Sequence, residues 1–234
     1  LRGIYESYSA IAFFFFLTEN KFVSTKLKRV RALNLYVGIG GNRKLWTNVD
    51  VVAVEREESI AAIYNSFFPQ DEIVVGDAHQ YLLHHFQDFD FIWSSPPCPT
   101  HGQYRYRVGH LAKGYKAVFP DMTLYEEIIF LKHYFQGIWA VENTISYYTP
   151  LITPQKVSRH YFWSNFEIHD LKLPPTKIRS RNKISELQDF LGFDLSSFRV
   201  KDKRKILRNC TNPHLGKNVF DCALEKYSSS FQLI

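Results

Sequence analysis

The sequence predicts an α/β protein with a mostly parallel, twisted sheet and helices on both of its faces. Between residues 32 and 141, short apolar segments alternate with segments of helical spacing, and this alternation favours a doubly wound sheet. Two apolar segments end in signals that stop a strand: Gly38-Ile39-Gly40-Gly41 follows the first, and Pro96-Pro97 follows the fourth. Proline cannot donate a hydrogen bond to a sheet, so the fourth strand must end before it.

The individual elements follow in chain order. Strands are predicted at 32–37, 49–54, 72–75, 89–93 and 137–141, with a further strand or hairpin at 160–163 and 166–168. Helices are predicted at 57–68, 81–86, 124–134 and 185–190. A short helix is also predicted after the glycine turn, and another at the end of the segment 208–224. Reactive groups of α/β enzymes lie at the carboxyl ends of such strands, which is where the candidate site residues fall.

The composition fits one sizeable domain in a reducing, intracellular setting. The chain of 234 residues can bury a proper core, and its three cysteines do not make a disulfide framework. A net charge of +6 and a pI near 9.1 favour an anionic partner, with nucleic acid first and an anionic membrane second. The apolar segment 10–17 is too short to span a bilayer as a helix. It is expected to be a buried helix, the alternative being a signal-peptide core flanked by Arg2.

The glycine turn and two acidic residues predict a site for an adenosine-containing ligand. A glycine turn between a strand and a helix lets a ligand approach the backbone, although the GxGG pattern does not specifically indicate a dinucleotide. Glu55 ends the second strand, where a carboxylate can accept hydrogen bonds from ribose hydroxyls. Asp77 ends the third strand, where it could meet an adenine edge. Each feature alone is as typical of a solvated strand end or a tight connection, but together they favour a ligand site.

Cys98 is a candidate nucleophile because it follows the fourth strand at the start of a loop. A small buried apolar side chain is the other interpretation, since most free cysteines are of that kind. The segment 100–121 that follows is rich in glycine, tyrosine and basic residues and has no clear periodicity. Such a length is typical of a functional loop.

Several segments resemble, in order, the motifs of the DNA (cytosine-5)-methyltransferase family, whose members use S-adenosylmethionine on a Rossmann-like sheet. NLYVGIGG at 34–41 resembles the D-L-F-x-G-x-G-G cofactor loop, SPPC at 95–98 the G-P-P-C nucleophile loop, and ENT at 142–144 the E-N-V motif. PQKVSR at 154–159 resembles P-Q-x-R-x-R, LRNCTNP at 207–213 resembles I-G-N-A-V-P-P, and LQDFLGF at 187–193 more faintly resembles L-Q-G-F-P. The resemblance runs from about residue 33 to residue 224.

The resemblance implies roles for three catalytic residues. Cys98 would add as a thiolate to C6 of cytosine, and nearby positive charge is expected to favour the thiolate. Glu142 would bind the N3 and amine edge of the base and share a proton with N3. Arg159 would contact the base or support the nucleophile loop. Because a duplex hides C6, the cytosine would be flipped out of the stack.

The resemblance also implies a cofactor and a partner. S-adenosyl-L-methionine would be bound by Tyr36, Gly38, Gly40, Gly41, Glu55, Asp77, Pro97 and Asn209. Duplex DNA would be held by Arg105, Arg107, Lys113, Lys116, Arg179 and Arg181, of which the last two are equally typical of a solvated basic loop. No metal and no membrane partner are expected, and the protein is expected to work in the cytoplasm, nucleoid or nucleus.

The implied organisation is an N-terminal extension (1–30), a catalytic domain (31–168), a vestigial target-recognition segment (169–184) and a C-terminal part that returns to the catalytic domain (185–234). With so short a recognition segment, sequence specificity would be relaxed, short or supplied by a second chain. The chain departs from the family pattern at Asn34, which replaces Asp, at 100–102, where THG replaces the usual residues, and at Val157, which replaces an arginine.

Three rival functions are compatible with the same residues. A tRNA cytosine-5 methyltransferase would share the chemistry, and charge alone does not separate DNA from RNA. An amino-methyltransferase would share a motif of the S-P-P-Y type, but it requires an aromatic residue where Cys98 stands. The third alternative is an inactive relative that only binds nucleic acid or a partner.

Overall fold

The computed structural model of the protein describes residues 29–171 and 183–231. Its strands are β1 (Val30–Leu35), β2 (Val49–Glu55), β3 (Glu72–Val75), β4 (Phe91–Ser94), β5 (Ile138–Thr144), β6 (Gln155–Val157) and β7 (His160–Ser164). Its α-helices are α1 (Glu58–Phe67), α2 (Ala78–His85), α3 (Thr123–Tyr134), α4 (Ile184–Leu191), α5 (Lys203–Asn209) and α6 (Pro213–Phe231). A 3₁₀ turn at Phe86–Asp88 and a π-helix at Arg105–Ala112 complete the regular structure of the described residues.

Within the described residues, the strands form one sheet in the order β3-β2-β1-β4-β5-β7-β6. The first five strands are parallel, whereas β7 runs antiparallel to both β5 and β6. The predicted α/β class with a mostly parallel sheet is therefore confirmed. The order changes direction between β1 and β4, and this switch point opens the crevice in which α/β proteins place their ligands.

Alternate residues of the central strands face two separate apolar cores, as the period of two in a strand requires. On one face, Ala32 and Trp93 pack with α1 and with the C-terminal helices α4, α5 and α6. On the other face, Leu33 and Ile92 pack with α2 and α3. Near-continuous apolar strands such as β4, all of whose residues are buried, are the expected result of covering a parallel sheet on both faces.

The structure corrects several sequence-based boundaries. The first strand ends at Leu35 rather than at residue 37, because Tyr36 has a positive φ of 56° and turns the chain. The residues after the glycine turn form turns instead of a short helix. The predicted hairpin pairs β7 with the preceding strand β6, not with 166–168. The segment 100–121, predicted to be an irregular loop, contains the π-helix.

Other predictions fall on residues outside the described ranges. These are the N-terminal extension up to residue 28 and most of the vestigial recognition segment, which includes Arg179 and Arg181. Among the described residues, no helix is long and apolar enough to cross a membrane.

Candidate active site

The carboxyl ends of β1, β2, β4 and β5 lie at one edge of the sheet, because these strands are parallel neighbours in register. Leu35 lies beside Val54 of β2 on one side and beside Ser94 of β4 on the other, and Ser94 lies beside Val141 of β5. Four features therefore lie side by side along this edge: the glycine turn, Glu55, the Pro-Pro-Cys loop and Glu142. This edge is the candidate active site.

The glycine turn is held against the end of β2 by Glu55. The backbone N–H of Gly38 donates to Glu55 Oε2 over 2.9 Å, while Oε1 accepts from the backbone N–H groups of the two residues that follow Glu55. Gly38 and Gly40 both have positive φ, at 55° and 83°. A Cβ on Gly38 would meet nothing within 4 Å, so the backbone faces open space there. A Cβ on Gly40 would lie 2.4 Å from the Phe68 ring, so this glycine is required by packing.

These features fit an adenosine-containing, positively charged cofactor. The open backbone at Gly38 leaves room for a ligand to approach the turn. Glu55 Oε2 can accept one further hydrogen bond, because a carboxylate oxygen has two lone pairs and Oε2 accepts only from Gly38. Asp77 lies on the same side, after β3, where its Oδ1 caps α2 by accepting from the Gln80 N–H over 3.0 Å. Carboxylates suit both ribose hydroxyls and the cationic end of S-adenosylmethionine.

The ends of the glycine turn are joined by a reciprocal pair of buried amides. Asn42 Nδ2 donates to Asn34 Oδ1 over 2.8 Å, and Asn34 Nδ2 donates to Asn42 Oδ1 over 3.3 Å. Both residues are at least 96 % buried. Asn34, where the family pattern has Asp, therefore binds Asn42 of the same chain and fixes the turn. An aspartate carboxylate could accept from Asn42 but, having no N–H, could not also donate to it.

The Cys98 loop is tied to the end of β5. Asn143 Nδ2 donates to the Pro96 carbonyl over 3.0 Å, and Asn143 itself is buried. The Cys98 carbonyl accepts from the backbone N–H groups of His101 and Gly102, over 3.0 and 3.2 Å. The resulting tight turn presents Cys98 and Pro97 as exposed residues at the edge of the sheet.

The thiol of Cys98 is not activated in this structure. The residue as a whole is exposed, but protein atoms crowd the sulfur, and this desolvation together with the Glu142 carboxylate raises its pKa. Glu142 is the charged side chain that acts on Cys98 in this structure, whereas the expected activation by nearby positive charge stays a prediction. The thiol and Glu142 therefore lie close enough for the carboxylate charge to raise the pKa of the thiol.

Glu142 is paired with a histidine that sequence reasoning missed. His160 Nδ1 lies 2.5 Å from Glu142 Oε1, and both side chains are mostly buried. His160 is the first residue of β7 and lies opposite Thr144 in the antiparallel pair. Arg159 is exposed in the turn between β6 and β7, and Val157 is buried beneath it. The signal that could have found His160 is its position directly after the PQKVSR segment.

A second missed residue is Glu127 of α3, a fully buried carboxylate. Its oxygens accept from Tyr36 Oη over 2.6 Å and from Ser94 Oγ over 2.5 Å, and His79 Nδ1 lies 3.2 Å away. Tyr36 directly follows β1, Ser94 is the last residue of β4, and His79 lies in the first turn of α2. Glu127 therefore joins three segments beside the site, and the burial of Tyr36 together with the Glu127 charge raises the pKa of the Tyr36 hydroxyl.

His101, which stands within the unusual THG segment, is buried beside the Cys98 loop. Its Nδ1 lies 2.6 Å from Tyr148 Oη, and within the described part of the chain its Nε2 is buried without a hydrogen-bond partner. Burial lowers the pKa of His101, although the nearby backbone and charge of Asp121 oppose this effect. The imidazole is therefore neutral at pH 7.

The remaining predicted residues lie further from these contacts. Arg105, Arg107, Lys113 and Lys116 are all exposed on the segment after Cys98. Asn209 is the exposed last residue of α5. Among the described residues, no group of three or more His, Cys, Asp and Glu side chains could hold a metal ion.

A model of a known protein family matches part of the chain. Residues 30–122 match the family model of the C-5 cytosine-specific DNA methylase, a stretch that includes the glycine turn, Glu55, Asp77 and Cys98. Glu142, Arg159 and Asn209 lie beyond it. No curated protein matches the chain.

Similar solved structures include a methyltransferase of Entamoeba histolytica (14% identity, 68% of this chain and 60% of that chain, TM-score 0.37). DNMT2 of Spodoptera frugiperda is 22% identical over 49% of this chain and 33% of its own, with a TM-score of 0.33. A SAM-dependent methyltransferase of Agrobacterium tumefaciens is 11% identical over 53% of this chain and 42% of its own, also with a TM-score of 0.33.

Proposed function

We propose that this chain, whose residues 30–122 carry a C-5 cytosine-specific DNA methylase domain, methylates C5 of cytosine in DNA with S-adenosylmethionine as methyl donor. The observation that carries the proposal is the hydrogen bond from Asn143 Nδ2 to the Pro96 carbonyl. This bond holds the loop of Cys98 against the strand that bears Glu142, so a thiol and a carboxyl group face the same ligand space. A nucleophile beside a proton-sharing group is what activation of a cytosine ring requires.

The cofactor would be bound by the glycine turn and the two strand-end carboxylates. Gly38 and Gly40 would let it approach the backbone, and Glu55 would accept from the ribose hydroxyls. Asp77 would lie at the adenine, with Tyr36, Gly41, Pro97 and Asn209 as further contacts. When bound, S-adenosylmethionine supplies a methyl group that is electrophilic because it is attached to a sulfonium.

The protein's own residues would act on the cytosine. After the Cys98 thiol has given its proton to water, the sulfur would form a bond to C6 while protonated Glu142 holds a proton at N3, and the electron density of the ring would shift to C5. After C5 has taken the methyl group, water would accept the C5 proton and the bond between the sulfur and C6 would break with its electron pair returning to the sulfur. N3 would give its proton back to Glu142, which restores the aromatic ring. His160 would orient Glu142 by donating from Nδ1, and Arg159 would contact the base or the nucleophile loop once DNA is bound.

The test is trapping of the covalent adduct on DNA that contains 5-fluorocytosine. Fluorine cannot leave as a proton, so the complex between Cys98 and C6 should accumulate when the protein is incubated with S-adenosylmethionine and this DNA, supplied as a duplex and as a single strand. Cys98→Ser should abolish both the adduct and methyl transfer. Cys222→Ala is the matched control, since Cys222 is a residue of α6 that is buried in the apolar core and not at the site.

Two results would contradict the proposal. An adduct that persists in Cys98→Ser would show that another group attacks the base. Methyl transfer to tRNA without any transfer to DNA would assign the same chemistry to a different substrate.

A further inference from the structure

The segment directly after the nucleophile carries a cavity lined by aromatic and basic side chains. Its walls include Arg105, Tyr106, His110, Tyr115, Lys116 and Tyr147. Thr100, two residues from Cys98, also lines it. The Thr100 hydroxyl accepts from the backbone N–H of Asp121 over 3.0 Å, so the two ends of the segment are pinned together. The cavity is therefore attached to the loop of the proposed nucleophile.

The rings of this cavity are held in place by the backbone. Tyr106 stacks on Tyr147 with 4.3 Å between the ring centroids and 12° between the ring planes. The Tyr115 N–H donates to the Gly109 carbonyl over 2.9 Å, and a Cβ on Gly109 would lie 3.2 Å from the Tyr115 ring. Tyr115 thus packs with one face on the π-helix while 54% of the residue remains exposed. Rings fixed in this way lose little conformational entropy when a ligand binds.

Further aromatic surface and an unbalanced positive charge surround the cavity. Tyr104 is 72% exposed and Phe119 is 91% exposed. From Thr100 to Pro120 the sequence contains four exposed Lys or Arg residues and no Asp or Glu. An anionic ligand with flat apolar faces is the chemistry that matches both features.

A paired duplex offers phosphates to such a surface but keeps the faces of its bases stacked inside. Basic side chains alone would suffice for a duplex backbone, and exposed tyrosine and phenylalanine rings would remain without a partner. Proteins that bind single strands combine a basic groove with aromatic rings on which unpaired bases stack, at about 1–3 kcal/mol per base. The combination observed here is of the second kind.

We propose that this aromatic and basic surface binds unpaired bases of DNA next to the target, so that the preferred substrate is single-stranded or locally unpaired. The inference rests on the proposed function for the identity of the target. It adds the strandedness of the substrate and assigns a base-stacking role to Tyr106, Tyr115 and Phe119.

The test measures binding of the full chain to labelled oligothymidylate and to the matching thymidylate–adenylate duplex by fluorescence anisotropy at fixed salt. Neither probe contains cytosine, so the result is independent of methyl transfer and of adduct formation. We expect oligothymidylate to bind at least about tenfold more tightly than the duplex. Tyr115→Ala should weaken its binding roughly 5- to 150-fold, the ratio that corresponds to the loss of one stacked base.

The controls separate stacking from charge and from misfolding. Tyr115→Phe keeps the ring and should bind like the unmodified chain. Phe119→Ala removes a second ring of the proposed surface, at a residue 91% exposed, and should also weaken binding. Tyr134→Ala, at a residue 66% exposed on α3, should leave binding unchanged. Arg105→Gln should reduce the slope of log Kd against log salt, whereas the Tyr115 variants should not.

Three outcomes would overturn the inference. They are equal binding of duplex and oligothymidylate, an effect of Tyr115→Ala no larger than that of Tyr134→Ala, and binding of oligouridylate more than tenfold tighter than oligothymidylate. If these controls behave as expected but no 5-fluorocytosine adduct forms on either single-stranded or duplex DNA, the binding site stands and the proposed chemistry fails.

Discussion

Glu127→Gln tests whether one buried carboxylate holds three segments of the site in place. The carboxylate accepts from Tyr36 and Ser94 and contacts His79, and it has no exposed surface. Hydrogen bonds to a charged group contribute about 1.5–3 kcal/mol each, and a buried donor left unpaired costs about 1–3 kcal/mol. An amide keeps one acceptor oxygen but turns an NH₂ group toward donors. We therefore expect the free energy of unfolding to fall by roughly 2 to 4 kcal/mol.

The assay is urea unfolding with linear extrapolation to water. Glu126→Gln is the matched control, because Glu126 is the adjacent residue on α3, its side chain is 64% exposed, and it lies 3.8 Å from His79. Its cost should stay below about 0.5 kcal/mol, as is usual for exposed positions. A loss in Glu127→Gln within 0.5 kcal/mol of the control would refute the reasoning, because the three contacts would then contribute nothing.

Three further predictions concern the same edge of the sheet. Glu142→Gln should speed alkylation of Cys98 by iodoacetamide at pH 7.5 while abolishing methyl transfer, because it removes a charge that raises the thiol pKa; slower alkylation would contradict this. Gly216→Ala should lower the unfolding free energy by about 1–3 kcal/mol, although alanine favours a helix, since its Cβ would lie 2.3 Å from the Asn42 carbonyl oxygen. His79→Gln should flatten stability between pH 6 and 8 in urea titrations. The pKa of His79 is raised, first by the hydrogen bond to Glu127. The protonated imidazole therefore stabilises the fold fully below the unfolded pKa of about 6.5, and that contribution is lost as pH rises through the folded pKa.

The sequence predicts the sheet well because its information is local. β2 ends at the acidic residue Glu55, and β3 ends directly before Gly76-Asp77. β4 ends before the two prolines. An apolar run between chain-breaking residues is sufficient to predict a strand. The candidate nucleophile and Glu142 follow from the same local patterns, since both lie at or near strand ends.

The contacts between distant segments could not be predicted from the sequence. Glu127 lies in α3, and its partners are 33 to 91 residues away in the chain. Helical spacing from Leu124 to Leu131 puts Glu127 on the buried face, but nothing local identifies those partners. His160 was missed because the family pattern directs attention to Arg159. The tight turn at Ser158, with φ of 55°, brings His160 opposite Thr144 of β5, the strand that bears Glu142.

The position and the reactivity of Cys98 are set by different contacts. The backbone around it is held by Ser94 on Glu127 and by Asn143 on the Pro96 carbonyl, so the thiol occupies a fixed place before any ligand binds. The pKa of the thiol is nevertheless raised by burial and by the Glu142 carboxylate, which favours the protonated form, the weaker nucleophile. In the proposed reaction, Glu142 takes up a proton from water and shares it with cytosine N3, which carries no proton in the neutral base, and this proton neutralises that same charge. Recognition of the correct base would then remove one of the causes that hold the nucleophile inactive, which is why Glu142→Gln should raise the reactivity of the thiol and abolish its catalysis together.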